Sequence, residues 1–125
     1  MGQASLKAKP AQIGDERWLV EMIATDRVEA MAREQGWPGG DEGLREFCEP
    51  DDAAVHAVHA TKEAAFAAAR QWLASGKSFF GCSIVDRQVY EVWQDDRGNR
   101  VKHADWETRE SHEIAMDGEA IQVDR

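Results

Sequence analysis

The chain has 125 residues, 24 acidic against 15 basic side chains, a net charge of −9 and a hydrophobic content of 42%. Such a length and apolar fraction suit a folded domain with its own core and exclude a disordered chain. No apolar run approaches the roughly 18 residues of a membrane span, and the opening MGQASLKAKPAQ has neither the apolar stretch of a secretory signal nor the Ser or Thr at position 6 that myristoylation needs.

Residues 1–13 read as a flexible N-terminal arm, and residues 14–125 as a single α+β domain. Asp15 stands where it can cap a helix beginning at Glu16. On that helix Trp18, Leu19, Met22 and Ile23 share a face. Val28 and Met31 fall on another side, and Asp26 with Glu29 resembles a capping box. The stretch is therefore either two short helices, over 16–24 and 27–35, or one bent helix. Gly36-Trp37-Pro38-Gly39-Gly40 stops it.

Residues 41–48 suit a short amphipathic helical turn with Leu44, Phe47 and Cys48 inward. Residues 53–60 read as a short strand. Thr61 is an N-cap for a helix over 62–74, with Ala65, Phe66, Ala69, Trp72 and Leu73 as its apolar stripe. Past Gly76 the pattern changes to period 2, which predicts strands over 79–85, 88–94, 100–106, 111–116 and 119–123. Asp117-Gly118 carries the signature of a two-residue type I′ hairpin. That turn would pair Ile114 with Ile121 and His112 with Val123. The expected fold is α+β, with a helix-rich N-terminal half packed on a C-terminal antiparallel β-meander of about four to five strands.

Charge is concentrated between Glu34 and Asp52. Seven acids (Glu34, Asp41, Glu42, Glu46, Glu49, Asp51 and Asp52) surround one base, Arg45. An acidic surface repels phosphate, so direct binding of nucleic acid or of an anionic membrane is not expected. The stretch is a solvated face, a dock for a basic protein, or an imitation of the charge of DNA. Asp41, Glu42, Glu46 and Glu49 are its candidate contact residues.

No catalytic motif stands out. The sequence has no GxGxxG, no phosphate loop and no nucleophile elbow. His56 and His59 would point to opposite faces of a strand. His103 and His112, on neighbouring predicted strands and with Glu113 alongside, are the nearest approach to a metal set, but no HExxH motif or ligand quartet accompanies them. Ordinary half-buried histidines are the simpler reading, and no metal or cofactor is expected. Cys82 lies in an apolar strand and Cys48 beside acids; neither setting favours a thiolate. Two cysteines without a disulfide framework suggest a reducing cytoplasm.

The aromatic residues are the most informative excess. There are five Trp in the chain. Trp18 and Trp72 lie on helix stripes and Trp37 in a Gly/Pro turn. Trp93 and Trp106 come from adjacent predicted strands, with Tyr90 on the face opposite Trp93. Aromatics on both faces fit either a core aromatic cluster with ordinary half-exposed Trp, or a sheet covered on both sides, by helices on one and by a ligand, a partner or a second copy of the chain on the other.

In element order and length the chain is similar to the cystatin-like and NTF2-like folds. That resemblance implies a pocket between helices and sheet. In size and acidity it also resembles the small inhibitors and orphan reading frames of mobile elements. The expected function is a small acidic non-enzymatic interaction protein, binding a protein partner or itself through the acidic stretch or through Tyr90, Trp93 and Trp106. The alternative is a small-molecule binder or simple acid/base enzyme, with His103, His112, Tyr90 and Asp105 as its polar groups.

Overall fold

A computed structural model of the chain describes residues 10–41, 43–95 and 97–124, and its first regular element is a strand. β1 (Glu16–Ile23) occupies the stretch expected to open a helix-rich half. The burial pattern alternates, with Trp18, Val20 and Met22 buried. A short apolar run fits both a helical stripe and a strand; here flanking strands on both sides decide it. Asp15 accordingly caps no helix. Its carboxylate accepts from the Gln12 N–H in a tight turn.

α1 (Thr25–Glu34) follows, then 3-10 turns at Leu44–Glu46 and Pro50–Ala53, β2 (Ala54–His59), α2 (Lys62–Ala74), β3 (Cys82–Gln94), β4 (Arg100–Ala115) and β5 (Ala120–Val123). The five strands form one antiparallel sheet in the order β2-β1-β3-β4-β5. The helix-rich N-terminal half is therefore not present. Strands β1 and β2 alternate with the two α-helices described, and the sheet draws its strands from residues 16 to 123. The element order behind the cystatin-like and NTF2-like resemblance goes with it.

The second half is also joined differently. The strands expected over 79–85 and 88–94 are largely one strand, β3, and those over 100–106 and 111–116 are one strand, β4. Asp86 and Arg87 make no turn, because β1 and β4 pair with them on either side. The register shifts between Arg87 and Gln88, where Arg109 is the extra residue of a bulge in β4.

The last hairpin slips by one residue from the expected register: Ile114 faces Ala120 and His112 faces Gln122. Its loop is Met116-Asp117-Gly118, closed by Ala115 N–H donating to Glu119 O and Gly118 N–H to Ala115 O. Gly118 has φ +86°, and among the described residues no non-glycine residue has a positive φ. A type I′ turn needs positive φ at both central residues, so the chain takes the three-residue loop with glycine in the left-handed position.

Both α-helices match their capping chemistry at one end. Thr61 Oγ1 accepts from Ala64 N–H at 3.1 Å and starts α2. Gly36 ends α1, with Trp37 N–H donating to Ala32 O and Gly36 N–H to Arg33 O, a Schellman arrangement. α1 starts without a side-chain cap; Ala24 is its N-cap, and Asp26 accepts from Arg27 N–H instead of closing a capping box.

α2 lies on one face of the sheet. Ala65, Ala69 and Leu73 meet Trp18 and Val20 of β1, Val85 of β3 and Ile114 of β4, with Phe66 and Trp72 packed at the margin. Two alanines facing the sheet let the helix backbone come close, and Leu73 fills the space between. Burial of each large aliphatic side chain contributes about 1.5–3 kcal/mol. α1 packs instead against the 3-10 turns at the Ile23 end of the sheet. There Val28, Ala32, Trp37, Pro50 and Ala53 are buried.

Candidate interaction surface

Strand lengths create the surface. β1 pairs with β3 only as far as Val89, and Gly14 and Asp15 add backbone bonds to Tyr90. Beyond that point β3 and β4 continue as a two-stranded ribbon, turned at Asp95. The Asp95 carboxylate accepts from the N–H groups of Arg97 and Asn99. The Asn99 bond, then that of Arg97, holds it below its ordinary pKa. An isolated two-stranded ribbon is marginally stable in water, so its side chains must hold it.

Aromatic pairs do so on both faces. Tyr90 faces Trp106 across the strands, with ring centroids 5.2 Å apart in an edge-on arrangement. Arg17 of β1 lies 4.2 Å above the Trp106 ring, and its Nε donates to Gln88 Oε1 at 2.8 Å. Burial lowers the Arg17 pKa, while the charge of Asp105 opposes that shift. On the other face Trp93 stacks on His103 at 5.5 Å with the planes 13° apart. Trp93 remains 41% exposed. Cross-strand aromatic pairs of this kind contribute about 0.5–1 kcal/mol each.

His112 is placed elsewhere. It belongs to β4, as His103 does, nine residues further on, or about 30 Å along a strand. The His103–His112–Glu113 grouping is thus not assembled, and among the described residues no three His, Cys, Asp or Glu side chains lie together in a metal-holding arrangement. His112 is 6% exposed, between Trp18 and Phe66. Its Nε2 lies 2.5 Å from Glu110 Oε2, with Lys62 Nζ of α2 4.0 Å from the same carboxylate. The His112 hydrogen bond holds the Glu110 carboxyl below its ordinary pKa; burial opposes this, and the charges of His112, Lys62 and Arg87 add to it. This cluster ties the first turn of α2 to β4.

Asp41, Glu46 and Glu49 are exposed around the 3-10 turns, and Glu42 lies outside the described residues. They sit at the Ile23 end of β1, whereas the aromatic ribbon leaves from its Glu16 end. Eight strand residues separate the two, about 26 Å. The acidic and aromatic residues are therefore two surfaces. His112, packed between Trp18 and Phe66, likewise lies apart from Tyr90 and His103 on the ribbon.

Arg17, Lys62 and Glu110 did not stand out in the sequence. Glu110 and His112 share a face of a strand at i, i+2, which is a usable signal once β4 is known to be continuous. Arg17 has none, because its contact with Trp106 crosses from β1 to β4. The sheet face opposite α2 carries Val58 and Ile121, each 55% exposed, interspersed with Glu21, Asp86 and Glu113. Glu21 bonds His56 at 2.7 Å and Asp86 accepts from Ser111. No family model, curated protein or solved structure matches this chain. Among the described residues no helix is long and apolar enough to cross a membrane.

Proposed function

We propose that this chain is a small non-enzymatic protein-docking module that uses the β3–β4 ribbon as its contact arm. One observation carries the reading: Trp93, stacked on His103, stays 41% exposed on a ribbon that extends past β1. A rigid, pre-stacked aromatic is the usual anchor of a protein interface, because it loses little conformational freedom when buried. The opposite face of the ribbon is already braced by Tyr90, Trp106 and Arg17. The ribbon thus keeps its shape while Trp93 is free to dock. The acidic lobe at the far end discourages phosphate-bearing partners and favours a basic protein as a second contact. The cytoplasm suits such a module, given two cysteines read as thiols.

The first partner to test is a second copy of the chain. Sedimentation from about 1 μM to about 1 mM spans the affinities of weak and moderate dimers. A dimer that Trp93→Ala returns to monomer, with an unchanged circular dichroism spectrum, supports the reading. If the wild type stays monomeric, a photo-crosslinking residue at position 93, compared in cells with one at position 41, tests a different partner. Discrete adducts from position 93 alone support the arm; adducts from neither position refute it.

A further inference from the structure

A cleft separate from the ribbon lies where the C-terminal part of α2 passes over β1, β2 and the first turn of α1. Its volume is about 390 Å³, inside the range of small-molecule sites. Met22, Val55 and the Trp72 indole line its apolar part. Arg27 and Lys77 also line it. Neither has an ion pair among the described residues, in a chain with 24 acidic side chains. Arg27 is held in place, because its Nη1 donates to Ala54 O at 3.0 Å. The remaining guanidinium N–H groups are available to an acceptor. Asp26 is the one acid of the lining, and its Oδ1 accepts the backbone N–H of Arg27.

We infer that this cleft binds a small planar aromatic carboxylate, its ring against Trp72 and its carboxylate between Arg27 and Lys77. Shape and charge each select part of the ligand. An indole wall favours a flat ring, which stacks without rearranging the site. Two exposed cations beside an apolar wall favour an anion, since a charge-assisted hydrogen bond is about twice as strong as a neutral one. A neutral ligand of the same shape would leave both cations without that gain.

Titration of the ¹⁵N-labelled full chain with indole-3-acetate, and in parallel with the neutral indole-3-ethanol, tests this. Saturable shifts of the Trp72 indole N–H and of the Arg27 and Lys77 amides are expected, with the alcohol at least about tenfold weaker. Lys77→Gln should weaken indole-3-acetate by about tenfold and leave the rest of the spectrum in place, because Lys77 is exposed. Arg27→Lys, which keeps the charge but not the fork, should weaken it less than Lys77→Gln does. Equal affinity for acid and alcohol would overturn the inference. So would an unaltered affinity in Lys77→Gln, or no saturable shift up to about 10 mM. None of these readouts depends on Trp93, so the cleft and the docking arm stand or fall separately.

Discussion

Replacing Val20 and Leu19 by alanine, one at a time, tests whether β1 is read correctly. On a helical stripe Leu19 lies inward beside Trp18, and Val20 lies outside it. In the sheet the order reverses: Val20 is fully buried between Ala57 and Val85, and Leu19 is half-buried on the opposite face. Val20→Ala removes two buried carbons, about 1.6 kcal/mol of transfer free energy at 0.8 kcal/mol each. A cavity term and the lower strand preference of alanine bring the expected loss to about 2–3 kcal/mol. Leu19→Ala removes three carbons that are only half out of water, for a loss of about 1 kcal/mol. Urea unfolding followed by tryptophan fluorescence measures both, with the slope against urea expected to stay at its wild-type value. In thermal melts Val20→Ala should lower Tm by roughly 6–10 °C in a chain of this size. If Leu19→Ala costs more than Val20→Ala, the strand and its register are wrong.

Two further predictions concern the last hairpin and the Glu110 cluster. Gly118→Ala should cost about 1 kcal/mol, because a Cβ at φ +86° is strained although its nearest neighbour would be Arg70 Nε at a comfortable 3.6 Å. Gly43→Ala, at φ −66° in open space, should stay within about 0.5 kcal/mol of wild type; equal losses in the two variants would contradict the three-residue loop. Glu110 titrates below its ordinary 4.5 in the folded chain, so its ionised form stabilises the fold. That contribution is complete above the unfolded value and is lost as pH falls through the lower folded value. Tm measured from pH 7 to pH 3 should therefore show the advantage of wild type over Glu110→Gln shrinking below about pH 4.5. An advantage that grows towards pH 3 would reverse the sign and remove the argument.

Local chemistry was legible where a residue acts on its own neighbours. Thr61 marks the start of α2 because its hydroxyl meets an N–H three residues away. Gly36 ends α1 for a similarly short-range reason. The α2 stripe was readable because thirteen residues give more than three turns of one period, and Ala65, Ala69 and Leu73 are indeed buried. β2 was readable as the short segment between a loop and a strong helix start.

The β1 segment was ambiguous in principle. Eight residues with apolar side chains at 18, 19, 20, 22 and 23 satisfy both periods, and only the backbone partners at Ala57 and Val85 choose between them. The breaks placed near Asp86 and Glu107 failed for a related reason. Charged residues on an exposed sheet face look like turns in a sequence but pair normally in a ladder, as Asp86 does with Leu19 and Ser111. For the candidate surface, composition singled out Tyr90, Trp93 and Trp106 as aromatic excess, and His103 only as a polar group beside His112. Only the sheet order paired them across β3 and β4, set Arg17 over Trp106 and sent His112 to α2. Thus the amino-acid sequence alone determined the acidity, the Thr61 and Gly36 caps and the long helix α2, since those depend on contacts a few residues apart. Strand identity, register and the separation of the acidic from the aromatic surface were decided by tertiary structure, because they depend on hydrogen bonds between residues up to about seventy positions apart.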